Sequence, residues 1–276
     1  MSFGPLVSTE QLAAHPEWRV FDCRHDLMKP QLGEQQYLES HVPGAAFAHL
    51  DRDLSAKREG RGGRHPLPYP GAFIAWVGQQ GVGAEDRVVC YDSGTDTYAA
   101  RLWWMLRWIG HEAVAVLDGG FTKWRAEGRP VTSDVPQFPH VRYPVRLHAD
   151  RAVGIGYVEQ HLHDALLLDA RSPQRFRGEH EPIDPVAGHI PGAKNRYSAG
   201  NLRADGTFKK PEELRAEFLQ VLGKHAPEAV VSYCGSGVAA CHNLLAMEIA
   251  GLSGGRLYAG SWSDWVSDPT RAVARG

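Results

Sequence analysis

The segment VVSYCGSGVAACHN, residues 230–243, sets Cys234 at the end of an apolar run and follows it with Gly235, Ser236 and Gly237. A strand that turns here into a helix leaves backbone N–H groups without intrahelical partners, free to converge on the sulfur. The positive end of the helix dipole adds to their field. A thiolate is stabilised in such a place, and the thiolate is the nucleophilic form of cysteine. Gly235 and Gly237 supply the backbone freedom that a cradle of amides needs, and Val238 and Ala239 carry the loop into the helix. Cys234 is therefore a candidate nucleophile that could also carry a transferred group. The plainer alternative is an inert core cysteine before a glycine turn. Cys241, two helical turns on, is either a resolving cysteine or, more simply, helix packing, while Cys23 and Cys90 lie in strand-like runs and read as core.

The contrast that sharpens this expectation is internal. VFDCR at 20–24 recurs as LLDAR at 167–171, and SHVPGAAF at 40–47 recurs as GHIPGAKN at 188–195. VVCYDSGTDTYAARL at 88–102 stands opposite VVSYCGSGVAACHNL at 230–244, and LDGGFTKW at 117–124 opposite YAGSWSDW at 258–265. Four blocks in one order at nearly one spacing indicate a duplicated domain. Where the second copy has Cys234 the first has Asp92, which cannot do thiol chemistry. The expected organisation is an inactive copy over 1–130, a linker over 131–150 rich in proline, and a catalytic copy over 151–276. Each copy alternates short apolar strands with amphipathic segments such as PEELRAEFLQVLGKH, which predicts an α/β fold with a mostly parallel sheet flanked by helices on both faces. Reactive groups in such sheets lie at the carboxyl ends of strands, where Cys234 falls. GGFTKW and GSWSDW are expected to position loops at that end, and the tryptophans of 103–108 to serve packing.

Composition narrows the possibilities. The chain has 276 residues, 43% hydrophobic and 22% charged, with a formal net charge of −2. That balance argues against a nucleic-acid binder, the only basic run being KREGRGGR at 57–64. No apolar run approaches the ~20 residues of a membrane span, and the N-terminus lacks the pattern of a signal peptide. Four cysteines do not make a disulfide framework, so a reducing, cytoplasmic setting is expected. His161 and His163 in HLHD have the spacing of a metal pair without a third ligand nearby, and read as an exposed helix face; no metal is expected. His41 and His189 precede Pro-Gly in both copies and are expected to stabilise a turn.

Repeated D-x-R and H-[VI]-P-G-A blocks, with a cysteine loop in the second copy only, resemble the tandem-domain rhodanese family of sulfurtransferases over nearly the whole chain. The resemblance implies two tandem rhodanese-like domains and a ping-pong reaction, in which Cys234 takes a sulfane sulfur from a donor and passes it on as a persulfide. The acceptor is a thiol or cyanide, with a thioredoxin-like reductant as a possible partner. No cofactor is implied, because the protein carries the sulfur. The loop CGSGVA is similar to that of 3-mercaptopyruvate sulfurtransferases, whereas thiosulfate-preferring relatives carry basic residues inside it. In the mercaptopyruvate branch a serine two residues after the cysteine joins a histidine and an aspartate. Ser236 matches the serine, and His65 in GRHPLP and Asp51 in AHLDRD match by order and context, their plainer roles being a lid residue and a helix cap.

The resemblance also places a substrate-binding arginine at Arg175, whose plainer role is a surface ion pair. Arg171 reads as structural, since its counterpart Arg24 sits in the copy without a cysteine, and Arg177 could assist. Asp184 stands where a second arginine often follows, which implies one cation rather than two and leaves thiosulfate as an alternative donor. A cysteine phosphatase of similar shape needs an arginine six residues after the cysteine, where this chain has Ala240. A relay module fed by a protein persulfide is the remaining alternative.

Overall fold

The computed structural model describes residues 3–57, 62–95 and 97–276, so that 58–61 of the basic run lie outside the described residues. The chain divides into two compact units. Of the described residues, the first contains those within 3–56, 67–148 and 204–208, and the second contains 57, 62–66, 149–203 and 209–276. In the first, β1 (Leu6–Val7), β2 (Arg19–Asp22), β3 (Ala45–Phe47), β4 (Val88–Tyr91) and β5 (Val114–Leu117) form a sheet in the order β1-β5-β4-β2-β3. In the second, β6 (Ala152–Val153), β7 (Leu166–Asp169), β8 (Lys194–Asn195), β9 (Val230–Tyr233) and β10 (Arg256–Tyr258) repeat it as β6-β10-β9-β7-β8. Every strand pair is parallel, with Phe21 opposite Cys90 and Leu168 opposite Ser232. The expected tandem α/β architecture is the one observed.

The central strands VVCY and VVSY are buried throughout, as strands covered on both faces must be. Ser232 is the polar exception in β9, and its hydroxyl donates to the Ala240 carbonyl at 3.0 Å. The helix Ala239–Ile249 packs on β9 and β10, and Thr97–Trp108 packs on β4 and β5. Trp103 and Trp104 are buried there, in the core of the first unit. Pro211 opens the helix Pro211–Leu222, which buries Leu214, Phe218 and Leu222 at four-residue intervals. Residues 131–148 have little regular structure and are tied to the first unit by Thr132 N–H to His41 O (2.9 Å), Val141 N–H to Gly78 O (2.9 Å) and His148 N–H to Trp108 O (2.8 Å).

At the carboxyl ends of β2 and β7 the two copies use one device. Asp22 and Arg24 pair in a fully buried bridge at 2.6 Å, and Asp169 and Arg171 do the same at 2.6 Å. Tyr91 donates its hydroxyl to Asp22 and accepts the Val42 N–H, and Tyr233 accepts the Ile190 N–H. His41 Nδ1 bonds Tyr37 O at 2.6 Å, and His189 Nδ1 bonds Phe176 O at 2.7 Å, each beside a short antiparallel bridge. Their role in the turn is common to both copies.

His242, buried in the helix Ala239–Ile249, has its Nδ1 3.2 Å from the side-chain amide nitrogen of Asn201. Burial, with Arg196 assisting, pulls its pKa from 6.5 down to about 3. Above the ordinary value the ring is neutral in folded and unfolded chains alike, and its stabilising burial is fully present. As pH falls below 6.5 the unfolded chain alone takes the proton, and stability drops by up to ~1.4 kcal/mol per pH unit. The stability advantage over His242→Gln, measured by urea unfolding, should shrink between about pH 7 and about pH 5. A constant advantage across that interval refutes the assignment.

Candidate active site

Cys234 follows β9, and its sulfur accepts backbone N–H groups from Gly237 at 3.1 Å and Ser236 at 3.5 Å. The same cradle exists in the first copy, where the Asp92 carboxylate accepts from Gly94 (2.9 Å), Thr95 (3.1 Å) and Tyr98 (2.9 Å). A carboxylate held at the equivalent point marks the cradle as a place for negative charge. Gly237 has φ +76, and a Cβ there would lie 2.3 Å from the Ala259 carbonyl oxygen, so only glycine fits.

The short helix Ser261–Trp265 holds the loop from the other side. Trp262 and Ser263 donate their N–H groups to the carbonyls of Cys234 and Gly235, both at 3.0 Å. The Cys234 N–H in turn goes to Ser261 Oγ at 3.0 Å, and that hydroxyl donates to Tyr258 O. Ser261 has φ 55, and Gly120, its counterpart in the repeat, has φ 56. A side chain in this conformation costs ~1–3 kcal/mol, and here it supplies the bond that fixes the nucleophile's own amide. The same helix pins residues 62–65: Ser263 Oγ accepts the Arg64 N–H at 3.0 Å, and Asp264 accepts the Gly62 N–H at 2.9 Å. His65 is thereby placed with Nδ1 2.8 Å from Ser236 Oγ, both residues buried.

A chain of alternating charges runs to the loop. Arg171 bonds Asp169 and, through Nη1, Glu181 at 3.2 Å; Glu181 bonds Arg175 at 2.7 Å; Arg175 bonds Asp184 at 3.2 Å; Asp184 bonds Arg64. Burial works against the charge on Glu181, but hydrogen bonds from Arg175 and the Asp184 and Ile183 amides outweigh it and hold the pKa below the ordinary value. At Asp184 burial, with the Glu181 charge beside it, wins over the guanidinium groups of Arg64, Arg175 and Arg171 and the pKa rises. A Cβ on Gly235 would meet Arg64 Nη2 at 2.8 Å and Arg175 Nη2 at 3.4 Å, so both cations border the cysteine loop.

Of the residues expected from the sequence, Cys234, Gly235, Ser236, Gly237, Val238, Ala239, His65 and Arg175 are gathered in the second unit. Asp51 belongs to the first unit, exposed, with its N–H directed at His49 Nδ1 at 3.2 Å. Two cations border the loop rather than the single one expected, because Arg64 joins Arg175 across Asp184. Arg64 and Ser261 were not signalled: the first pairs with a residue 120 positions away, and the second acts through backbone geometry. Arg177 pairs with Glu179 at 2.6 Å on the surface. Cys241 is buried and donates to Gly237 O at 3.4 Å, one helical turn back. His161 caps its helix against Tyr157 O. Among the described residues His25, His49 and Asp51 are close enough to share a metal ion. The Asp51 and Arg52 amides both point at His49 Nδ1, which puts the proton on Nε2 and disfavours ligation there.

Comparison with known proteins decides the family. Residues 8–127 and 155–268 each match the rhodanese-like domain. The chain belongs to the rhodanese family. It is 44% identical, over the full length of both chains, to a probable 3-mercaptopyruvate sulfurtransferase of Pseudomonas aeruginosa. It is 35% identical to the thiosulfate sulfurtransferase of Bos taurus, covering 99% of this chain and 96% of that one. Among solved structures, the 3-mercaptopyruvate sulfurtransferase of Leishmania major superposes with a TM-score of 0.85 at 33% identity, covering 95% of this chain and 74% of that one. Both rhodanese copies of the chain thus fall within the matched segments, and no helix among the described residues is long and apolar enough to cross a membrane.

Gly237→Ala tests the cradle. It should destabilise the protein by more than ~1 kcal/mol, because the positive φ and the Ala259 oxygen both oppose a methyl group. It should also slow alkylation of Cys234 by iodoacetamide at fixed pH. An unchanged melting curve and alkylation rate would show that the loop does not need this conformation.

Proposed function

We propose that the second rhodanese copy, 151–276 with the His65 segment, is a sulfurtransferase that moves a sulfane sulfur from 3-mercaptopyruvate through a Cys234 persulfide to a thiol or cyanide. The single observation that carries this is the Cys234 sulfur in a cradle of amides, next to a Ser236 hydroxyl hydrogen-bonded to His65. In the first half-reaction the Cys234 thiolate attacks the donor's sulfur. An S–S bond forms, the C–S bond breaks, and its electron pair leaves as the enolate of pyruvate. The donor's thiol proton balances the methyl group of pyruvate, and Ser236 with His65 is the route by which a proton reaches the enolate carbon. In the second half-reaction a thiolate or cyanide takes the outer sulfur and Cys234 leaves as thiolate. The Ser236 and Gly237 amides favour negative charge on sulfur at the beginning and end of this cycle.

Arg175 and Arg64 are assigned to the donor's carboxylate, with Asp184 holding them apart and in place. Arg64 Nε is buried without a protein partner among the described residues, which leaves a donor for a ligand to satisfy. Asp51 is assigned to orient the relay and the first copy, over 1–130, to be catalytically silent because Asp92 occupies its cradle. The four cysteines are all free thiols, which is compatible with the reducing, cytoplasmic setting assigned to the chain, and a thioredoxin-like reductant is assigned as acceptor. Thiosulfate is the second reading, favoured by the 35% identity to the bovine thiosulfate sulfurtransferase and by the two cations beside the loop.

Incubation with mercaptopyruvate should add one sulfur atom to the chain, seen by intact mass, with stoichiometric pyruvate; Cys234→Ser should abolish both. Persulfide in the serine variant would end the proposal. Ser236→Ala should lower kcat for mercaptopyruvate at least ~100-fold, the scale of a lost general acid, and lower thiosulfate turnover much less. Equal losses would remove Ser236 from proton delivery. Arg64→Ala and Arg175→Ala should each raise KM for an anionic donor by roughly tenfold or more, the value of a charged hydrogen bond. Unchanged KM in either variant would dismiss that arginine.

A further inference from the structure

The first unit contains a cleft of about 540 Å³ at the carboxyl ends of its strands, lined by the buried Arg24 and by the more exposed Ser93, Thr122, Arg125, Gln36 and Glu39. Its chemistry follows from a difference between the copies. In the second copy Arg171 uses every nitrogen on protein: Nε and Nη2 on Asp169, Nη2 on Gly188 O, and Nη1 on Glu181. In the first copy Arg24 uses Nε and Nη2 on Asp22, and Nη2 on Ser40 O. No carboxylate stands where Glu181 does. Among the described residues no group bonds Arg24 Nη1, although the side chain is only 5% exposed and lines the cleft. The guanidinium is held rigidly by Asp22 and by the face of Phe121, 4.1 Å away, so its free edge has a fixed direction. Arg125, on the helix Gly120–Ala126, brings a second guanidinium without a protein partner among the described residues.

We propose that this cleft is a binding site for a small anion, a carboxylate or an inorganic oxyanion, held by Arg24 Nη1 and Arg125. An almost fully buried guanidinium with an unused N–H edge is satisfied by an oxygen anion, in the way Glu181 satisfies Arg171. Ser93 and Thr122 offer further polar groups on the exposed side of the cleft, though the Thr122 hydroxyl already donates to Ser93 O. Glu39 limits the excess charge of the cleft to about one positive unit by count of its two guanidinium groups and one carboxylate, which favours a ligand of low charge over a polyanion. The site is independent of sulfur chemistry at Cys234, and its failure would leave that assignment intact.

Calorimetric titration of the full chain with inorganic phosphate, and separately with pyruvate, tests this. Wild type should bind, and in an Arg175→Ala background, which removes the hold of the cysteine loop on the same anions, Arg125→Glu and Ala126→Trp should each weaken the remaining binding by roughly tenfold or more. Glu39→Gln should tighten it several-fold, a response that damaged folding cannot imitate. Tighter binding of pyruvate assigns the site to carboxylates, and of phosphate to oxyanions. Absence of binding by either anion at millimolar concentration, equal affinity in that background with and without the two weakening substitutions, or no gain with Glu39→Gln overturns the proposal. Sulfur transfer from donor to acceptor, unchanged in Arg125→Glu, Ala126→Trp and Glu39→Gln, serves as the control for a folded protein.

Discussion

The buried Asp169–Arg171 pair at the end of β7 is the interaction on which the site depends. Taking two charges from water is expensive, and a lone buried pair is weak support for a fold. Here the pair does not stand alone. Arg171 passes its remaining N–H edge to Glu181, Glu181 orients Arg175, and Asp184 joins Arg175 to Arg64. Each charge is neutralised by the next, so a rigid strand end fixes the position of guanidinium groups beside Gly235. Flexible side chains acquire the precision of the sheet, which is what recognition of a small anion needs.

The second constraint is the cradle after the central strand. Both copies bend the same backbone around a negative group, and the identity of that group separates them. In the first, the Asp92 carboxylate takes amide hydrogens from Gly94, Thr95, Tyr98 and Ala99 and closes the cradle with its own charge. In the second, the Cys234 sulfur takes two and retains lone pairs for a bond to an incoming atom. The two copies thus hold different groups in one backbone arrangement, with the loop DSGTDT in the first against CGSGVA in the second. Ser261 shows how closely the amides are aimed. Its positive φ is accepted where the first copy uses glycine, because its hydroxyl fixes the Cys234 amide.

Much of this was legible in the sequence, for identifiable reasons. Repetition revealed two copies, and the alternation of VVSY with a helical segment revealed a parallel sheet and the strand end that carries Cys234. Cys234, Ser236 and Gly237 are contiguous, so local pattern sufficed. Arg64 was invisible because its pairing with Asp184 spans a distance in sequence that no local rule crosses. Asp184 by itself looked like a missing cation, whereas in the fold it is the carboxylate that brings two cations together. The Tyr91 and Tyr233 hydroxyls escaped notice for a related reason: strand-end tyrosines look like core until their partners are known.

Donor choice, under the proposed function, turns on where positive charge sits relative to the sulfur. Thiosulfate keeps its negative charge on the group bonded directly to the transferred sulfur, so cations inside the cysteine loop best stabilise its departure. Here the loop itself is Gly-Ser-Gly-Val-Ala, and the guanidinium groups approach from outside, against Gly235, already shared with Asp184 and Glu181. Mercaptopyruvate separates its carboxylate from its sulfur by two carbons. An arrangement with arginines set back from the cysteine and a hydroxyl beside it matches that separation: charge is held at one end while a proton is delivered at the other. The carboxylates that share the arginines weaken their hold on any anion, which suits a substrate that must leave as pyruvate after each turnover.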